Sequence, residues 1–300
     1  MDESRKRIAY GNVYMTVTEM EKRLPLYTAY VGSWKHQYPI RWPNGWPEYQ
    51  WIQCTGGKGA LKLAGEQHEV SAGQGMLLYP NEYHEYYPVS EEWSVRWVSF
   101  NGRQAGEIVR SLQFDRSQVL QLSDPEQSLQ KMKLLNAVAA QSAPMYYLEC
   151  SSLVYQLLLD LHRYGTIADV RSRDQHFTQL HPAIQFIEEH AHETISLQDI
   201  ADQLNVSRYH VCVLFQQTYH MRPFEYVNQI RLRKSRELFM NEPYASITEV
   251  AQKCGFDSLS YFIKLFKHYA GVTPKKYRDH YKVVYEATKV KTSTSKPART

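Results

Sequence analysis

The sequence predicts an α+β protein with two parts, an N-terminal β-barrel or β-sandwich that carries a helical hairpin and an all-helical C-terminal domain. Three observations predict this fold class. Short apolar runs broken by turn residues fill positions 25–100, apolar residues take helical spacing after residue 124, and an internal repeat of about fifty residues lies within 181–282. A chain of 300 residues that is 43% hydrophobic can bury two cores of ordinary size.

The β domain is predicted from the close spacing of apolar runs and turns. Turn residues such as Pro43-Asn44-Gly45 and Gly56-Gly57 separate the runs. Many short strands at close spacing are typical of a sandwich or a small barrel, and glycine supplies the positive φ that tight turns need. We assign residues 1–103 to this domain.

Two helices are predicted next, within residues 104–164. Asp124-Pro125 has the chemistry of a helix start, and a second helix follows Pro144. Two helices joined by a short break form an antiparallel pair, which either covers the β domain or forms the seam of a dimer. Residues 165–179 are polar and charged, and we predict that they are a linker.

Charge and cysteine usage narrow the function classes. The net charge is only +4, but residues 178–300 hold 17 basic against 12 acidic side chains, whereas residues 1–177 hold 18 against 19. This excess of basic side chains in the C-terminal part favours an anionic partner. Residues 283–300 are rich in Lys, Thr and Ser and are predicted to be a disordered basic tail. Four widely spaced cysteines, with neither a signal peptide nor a long apolar run, predict a soluble cytoplasmic protein without a membrane partner.

The internal repeat has two copies, which begin at Ser196 and Ser246. In each copy the serine is followed three residues later by an acid, Asp199 or Glu249, which is the spacing of a capping box at a helix start. A short helix, a tight turn and a second helix follow, which is the arrangement of a helix-turn-helix. The alternatives are an ordinary helical bundle and a protein-interaction module, but two copies with the same caps are hard to obtain by chance.

Residues 250–278 carry a set of matching positions, namely Gly255-Phe256, Tyr261-Phe262, Phe266-Lys267, Gly271, Thr273-Pro274 and Tyr277-Arg278. These positions resemble the signature of the AraC/XylS family of bacterial transcription regulators. The N-terminal part resembles that family's cupin-like sensor domain of arabinose-binding type at Tyr49, Gly57-Lys58-Gly59, Gly73, Gly75, Pro80, His84, Tyr86, Trp93 and Trp97.

The resemblance implies a transcription regulator, not an enzyme, that binds double-stranded DNA and a small-molecule effector. Residues 180–282 would form two helix-turn-helix units joined by a long helix, Phe224–Met240, with their recognition helices in adjacent major grooves. Residues 1–103 would form the effector-binding barrel. If the helical pair within residues 104–164 forms the seam of a dimer, this segment joins two chains in a homodimer. Such a regulator is also compatible with contact to RNA polymerase.

Base contacts are predicted on the outward faces of the recognition helices. The resemblance implies contacts at Tyr209, Cys212, Val213, Leu259, Ser260, Ile263 and Lys264, and outward-facing positions add Arg208, Gln216, Ser258 and Lys267. Phosphate contacts are predicted at Arg231, Arg233, Lys234, Lys275 and Lys276. Two alternatives stay open: Tyr209 packs partly in the core, and Arg231 pairs within the fold.

The effector is predicted to be a sugar or sugar derivative, because aromatic rings stack on the apolar face of a pyranose while planar donors bind its hydroxyls. The resemblance implies effector contacts at Trp97, Tyr86, Val95 and Arg41, with Trp97 stacking on the sugar and Arg41 as the polar clamp. The alternative is that the tryptophans only fill the core. No H-x-H pair precedes His84, so no metal or other cofactor is expected.

Two other functions remain open. A DNA-binding dimer without a ligand would lack a cavity in its barrel, and a cupin-type sugar isomerase would hold a metal there. Control by a sugar would place the target among genes of carbohydrate uptake or catabolism.

Overall fold

The computed structural model describes residues 12–141, 143–167 and 173–293. The chain divides between Gln175 and His176 into two compact units. The first unit contains the strands and three helices, and the second is helical in its described residues. This confirms the predicted α+β fold class with a C-terminal pair of helix-turn-helix units.

Nine strands of the described residues form one sheet in the first unit. Every pair is antiparallel, in the order β1-β2-β7-β4-β6-β8-β9, with β3 added to β7 and β5 added to β4. The strands are β1 Val13–Tyr14, β2 Tyr27–Trp34, β3 Ile40–Trp42, β4 Tyr49–Leu63, β5 Glu66–Ser71, β6 Gln74–Leu78, β7 His84–Asn101, β8 Gln118–Leu122 and β9 Gly165–Thr166.

The sheet bends where the long strands β4 and β7 pair, since their register shifts on both sides of Gly57. Gly57 has φ +71°, and a Cβ there would lie 1.8 Å from the carbonyl oxygen of Glu92. A Cβ on Gly59 would lie 2.2 Å from the ring of Trp93. These glycines therefore permit the bend that folds the two strands over each other and encloses a barrel interior.

Strand alternation separates two cores in the first unit. Ile52, Trp93 and Val95 belong to the interior core of the barrel, whereas Trp51 and Val98 belong to a second core that faces the helices. The helices are α1 Ala105–Ser111, α2 Pro125–Gln141 and α3 Tyr146–Tyr164, and a 3-10 turn covers Glu21–Arg23. The α2–α3 pair therefore packs on the β domain, and its role as the seam of a dimer stays a prediction.

The second unit contains two small helical cores that share one long helix, α7. Val227 of α7 packs in the first core, with α4, α5 and α6, and Phe239 packs in the second, with α8, α9 and α10. The helices are α4 Arg173–His190, α5 Leu197–Asp202, α6 Arg208–Tyr219, α7 Pro223–Asn241, α8 Ile247–Lys253, α9 Leu259–Ala270 and α10 Pro274–Ser293.

Two segment boundaries differ from the prediction. Residues 173–179, assigned to the linker, are the first turns of α4, where Leu180, Ala183 and Ile187 recur at helical spacing on the buried side. Residues 283–293, assigned to the disordered tail, continue α10, and residues 294–300 lie outside the described part of the chain. None of the described helices is both long and apolar enough to cross a membrane.

Candidate DNA-binding surface and effector cavity

The two helix-turn-helix units are built by the same local interactions. Ser196 accepts a hydrogen bond from the backbone N–H of Asp199, and Ser246 accepts one from Glu249, so each copy has the predicted capping box. Asn205 and Gly255 take positive φ in the two turns. These are residue types that tolerate the left-handed backbone with which a helix ends before the chain turns.

The first recognition helix, α6, has one buried face and one open face. Val211, Leu214 and Phe215 are buried, whereas Arg208, Tyr209 and Gln216 are exposed and Cys212 and Val213 are half-buried. The Tyr209 ring is 80% exposed, so Tyr209 does not pack in the core. His210 and Gln217 also lie on the exposed side, and the sequence prediction omitted both.

The second recognition helix, α9, also has one buried face and one open face. Phe262 and Phe266 are buried, and the predicted base-contacting side chains are all exposed, namely Ser258, Leu259, Ser260, Ile263, Lys264 and Lys267. Leu259 and Ile263 lie four residues apart and are each 37% exposed, which places apolar groups on the outer face. Such groups suit contact with thymine methyl groups, and Lys264 suits a base edge or a phosphate.

Three of the predicted phosphate anchors lie on α7 and have partners within the fold. Arg231 donates to the carbonyl oxygens of Ala191 and Glu193, at 2.7 and 2.9 Å. Arg233 forms an ion pair with Glu188, and Lys234 donates to the Glu188 carbonyl oxygen. These contacts revise the phosphate prediction for the three side chains, because each one joins α7 to the end of α4.

Lys275 and Lys276 are the other predicted phosphate anchors, and both are exposed in the first turn of α10. The backbone N–H groups at a helix N-terminus attract anions, so lysines in the first turn add positive charge where a DNA phosphate would bind. Their contact with phosphate remains a prediction.

The barrel of the first unit encloses a cavity of about 300 Å³ with aromatic walls. Tyr86 and Trp97, both predicted to contact the effector, line it. The sequence prediction missed the other aromatic walls, which are Tyr14, Tyr30, Trp34, Trp42 and Trp46. The spacing of Ile40 and Trp42 could have indicated that Trp42 lines the cavity, because residues two apart on a strand share a face.

Polar groups in this aromatic cavity come from neutral side chains. Gln50 is buried and lines the cavity; its Nε2 donates to Ser99 Oγ at 3.2 Å, while its Oε1 has no hydrogen-bond partner among the described residues. Burial raises the pKa of the Tyr30 and Tyr86 hydroxyls, so both stay protonated. The cavity thus presents flat rings and uncharged hydrogen-bonding groups, a combination that suits a polar, uncharged ring ligand.

Comparison with known proteins matches both units. The profile of the helix-turn-helix domain matches residues 200–280, and that of the AraC-like ligand-binding domain matches residues 26–158. The chain belongs to the AraC family of transcriptional regulators.

Two relatives match this AraC-family regulator over most of its length. The Msm operon regulatory protein of Streptococcus mutans is 26% identical over 226 residues, which cover 74% of this chain and 81% of the relative. The lactose operon transcription activator of Staphylococcus xylosus is 25% identical over 244 residues, which cover 76% of this chain and 83% of the relative.

Two of the predicted effector contacts in this AraC-family barrel lie elsewhere. Arg41 is on β3 between Ile40 and Trp42, which line the aromatic cavity, so alternation turns its side chain to the outside. There it is 69% exposed and 4.0 Å from Glu85. Val95 is buried in the barrel core and borders a different cavity. Arg41 is therefore not a clamp for a ligand in the aromatic cavity.

Proposed function

We propose that this AraC-family regulator binds operator DNA with α6 and α9 in adjacent major grooves, and that a saccharide in the aromatic cavity controls it. The observation that carries the ligand assignment is the set of aromatic walls, together with Gln50, a lining residue whose buried Oε1 has no hydrogen-bond partner among the described residues. A sugar offers this surface both an apolar C–H face and hydroxyl donors.

The size of the cavity supports a small saccharide. Its volume of about 300 Å³ is at the lower end of small-molecule sites, which suits one or two sugar rings. The Trp42 and Trp46 ring centroids lie 4.8 Å apart in an edge-to-face arrangement, and Tyr14 stacks on Tyr30 at 3.8 Å. The ligand-independent dimer predicts no such cavity.

The names of relatives support the same class of ligand. They include the lactose operon transcription activator already described and the raffinose operon transcriptional regulatory protein RafR of Pediococcus pentosaceus, 21% identical over 74% of this chain. We infer that this chain acts on genes of carbohydrate uptake or catabolism, as a homodimer joined through the α2–α3 hairpin and in contact with RNA polymerase.

The test is a tryptophan fluorescence titration of the full chain with a panel of mono- and disaccharides. We expect one sugar to change the emission in a saturable way, because Trp34, Trp42, Trp46 and Trp97 all line the cavity. The same sugar should change the affinity for DNA from upstream of the gene. Trp97→Phe keeps a ring but removes the indole, and Trp51→Phe, on the helix-facing side, is the matched control. No response to any saccharide would count against the assignment.

A further inference from the structure

The first unit contains a second and larger cavity, of about 710 Å³, whose lining differs in charge from that of the aromatic cavity. It lies where β2 ends against β7, and Leu129 and Lys133 of α2 form its far wall. Three basic side chains line it, Lys35, Arg96 and Lys133, and none of the described lining residues is acidic. An anion is the ligand that such a lining favours.

Arg96 is the most buried of the three basic side chains that line this cavity. Its guanidinium is half-buried, burial lowers its pKa, and no carboxylate of the described chain pairs with it. In register it lies opposite Gln53 of β4, a neutral residue whose side chain holds the start of α2 through Pro125 and Ser128. A desolvated arginine without a counter-ion favours binding of an external oxyanion.

Two hydrogen bonds hold the loop that forms part of the cavity lining. Ser94 Oγ donates to the carbonyl oxygen of Lys35 at 2.8 Å. The backbone N–H of Gln37 donates to the carbonyl oxygen of Trp93 at 2.8 Å. These bonds fix the loop after β2. Lys133 is exposed and pairs with Glu126 at 3.1 Å, which leaves Arg96 as the less solvated cation.

We propose that this cavity binds a small organic phosphate ester. Arg96 would hold the phosphate, with Lys35 and Lys133 beside it, because a guanidinium forms paired hydrogen bonds to phosphate oxygens. Trp34 and Leu129 supply an apolar wall, and the volume exceeds the need of an inorganic anion, so the ligand has an organic body. Trp34 also lines the aromatic cavity, so the two cavities share one lining residue.

This proposal rests on the proposed control by a small molecule. Its test can fail while the assignment of a saccharide to the aromatic cavity still holds. Calorimetric titration of the full chain without DNA, at constant ionic strength, uses inorganic phosphate and glucose 6-phosphate as probes. We expect both to bind wild type, and glucose 6-phosphate to bind at least about tenfold more tightly because it also fills the apolar part. Trp42→Ala, in the aromatic cavity only, should leave phosphate binding unchanged.

Arg96→Gln is the variant that tests the proposed phosphate contact, and Arg103→Gln, an exposed arginine outside the cavity, is its control. We expect Arg96→Gln to weaken glucose 6-phosphate binding by about tenfold or more and to keep the Tm, since it removes a desolvated charge. Lys133→Gln should weaken binding less. Failure of both phosphates to bind wild type, or equal binding by wild type and Arg96→Gln, would overturn the site.

Discussion

Arg231 Nε lies 2.7 Å from the carbonyl oxygen of Ala191, and the same guanidinium lies over the ring of Phe256, 5.7 Å from its centroid. Ala191 closes α4 of the first helix-turn-helix unit, while Phe256 belongs to the turn of the second. One side chain in the middle of α7 therefore holds both units. We infer that Arg231 fixes the distance between the two recognition helices.

Arg231→Ala is expected to lower stability without removing a phosphate contact. Two hydrogen bonds from a half-buried guanidinium are lost, which costs about 1–3 kcal/mol of unfolding free energy after solvent screening. DNA affinity should fall because the distance between the recognition helices α6 and α9 is no longer fixed. The dependence of affinity on salt should keep its slope, and a slope reduced by about one would show that Arg231 contacts a phosphate instead.

Lys275→Ala is expected to change the salt dependence of DNA binding and not the stability, which is the opposite of Arg231→Ala. This lysine is exposed in the first turn of α10, so its removal should leave the Tm unchanged. Affinity for all DNA sequences should fall, and the salt slope should decrease by about 0.9. Affinity measured by fluorescence anisotropy at four salt concentrations checks this. An unchanged slope would remove Lys275 from the DNA contacts.

Gly255→Ala is expected to destabilise the second unit. Gly255 has φ +84°, and a Cβ there would lie 2.7 Å from the carbonyl oxygen of Ala191, so the substitution adds a clash to backbone strain. We expect a loss of about 2–4 kcal/mol in urea unfolding. Gly271→Ala is the matched control, since Gly271 has φ +72° but open space around it, and only about 1 kcal/mol should be lost. Equal losses would show that the contact with Ala191 carries no energy.

Lys264→Ala is expected to weaken DNA binding in a sequence-dependent way. Lys264 is exposed on α9 between Ser260 and Lys267, on the face that would meet the base edges. We expect a loss of about 1–3 kcal/mol on operator DNA and much less on random DNA. Lys58→Ala, in the first unit, is the control. Equal losses on both DNAs would mean that Lys264 contacts only the backbone.

Stability is expected to fall as the pH is lowered below about 6.5, where an unperturbed histidine takes up a proton. His84 is fully buried and donates through Nδ1 to the carbonyl oxygen of Glu82, and burial lowers its pKa. The unfolded chain therefore binds this proton at higher pH than the folded chain does, so acid favours unfolding. His84→Gln should flatten the dependence of Tm on pH between 7 and 5, and the surface variant His68→Gln should not.

The helix-turn-helix units were predictable because local interactions build them. The capping boxes at Ser196 and Ser246, and the turns at Asn205 and Gly255, are set by residues close in sequence. Periodicity also separated the outer and buried faces of α6 and α9.

Side-chain direction in the barrel was harder to predict, because it depends on register. A displacement of one residue moves a side chain to the other face of a strand, so Arg41 was assigned to a cavity that Ile40 and Trp42 line. Arg231 was assigned to phosphate because its acceptors, the Ala191 and Glu193 carbonyl oxygens, are about forty residues away and have no sequence signal.

Hydroxyl-radical footprinting of the full chain on DNA from upstream of its gene tests most directly whether α6 and α9 read adjacent major grooves. We predict that each half-site of the homodimer shows two protected regions on one face of the duplex, separated by one helical turn, about 10 base pairs. Each region should be lost separately, the first with substitutions on α6 and the second with Lys264→Ala combined with Ser260→Ala. A single protected region in each half-site, or protection unaffected by changes on either helix, would contradict the account.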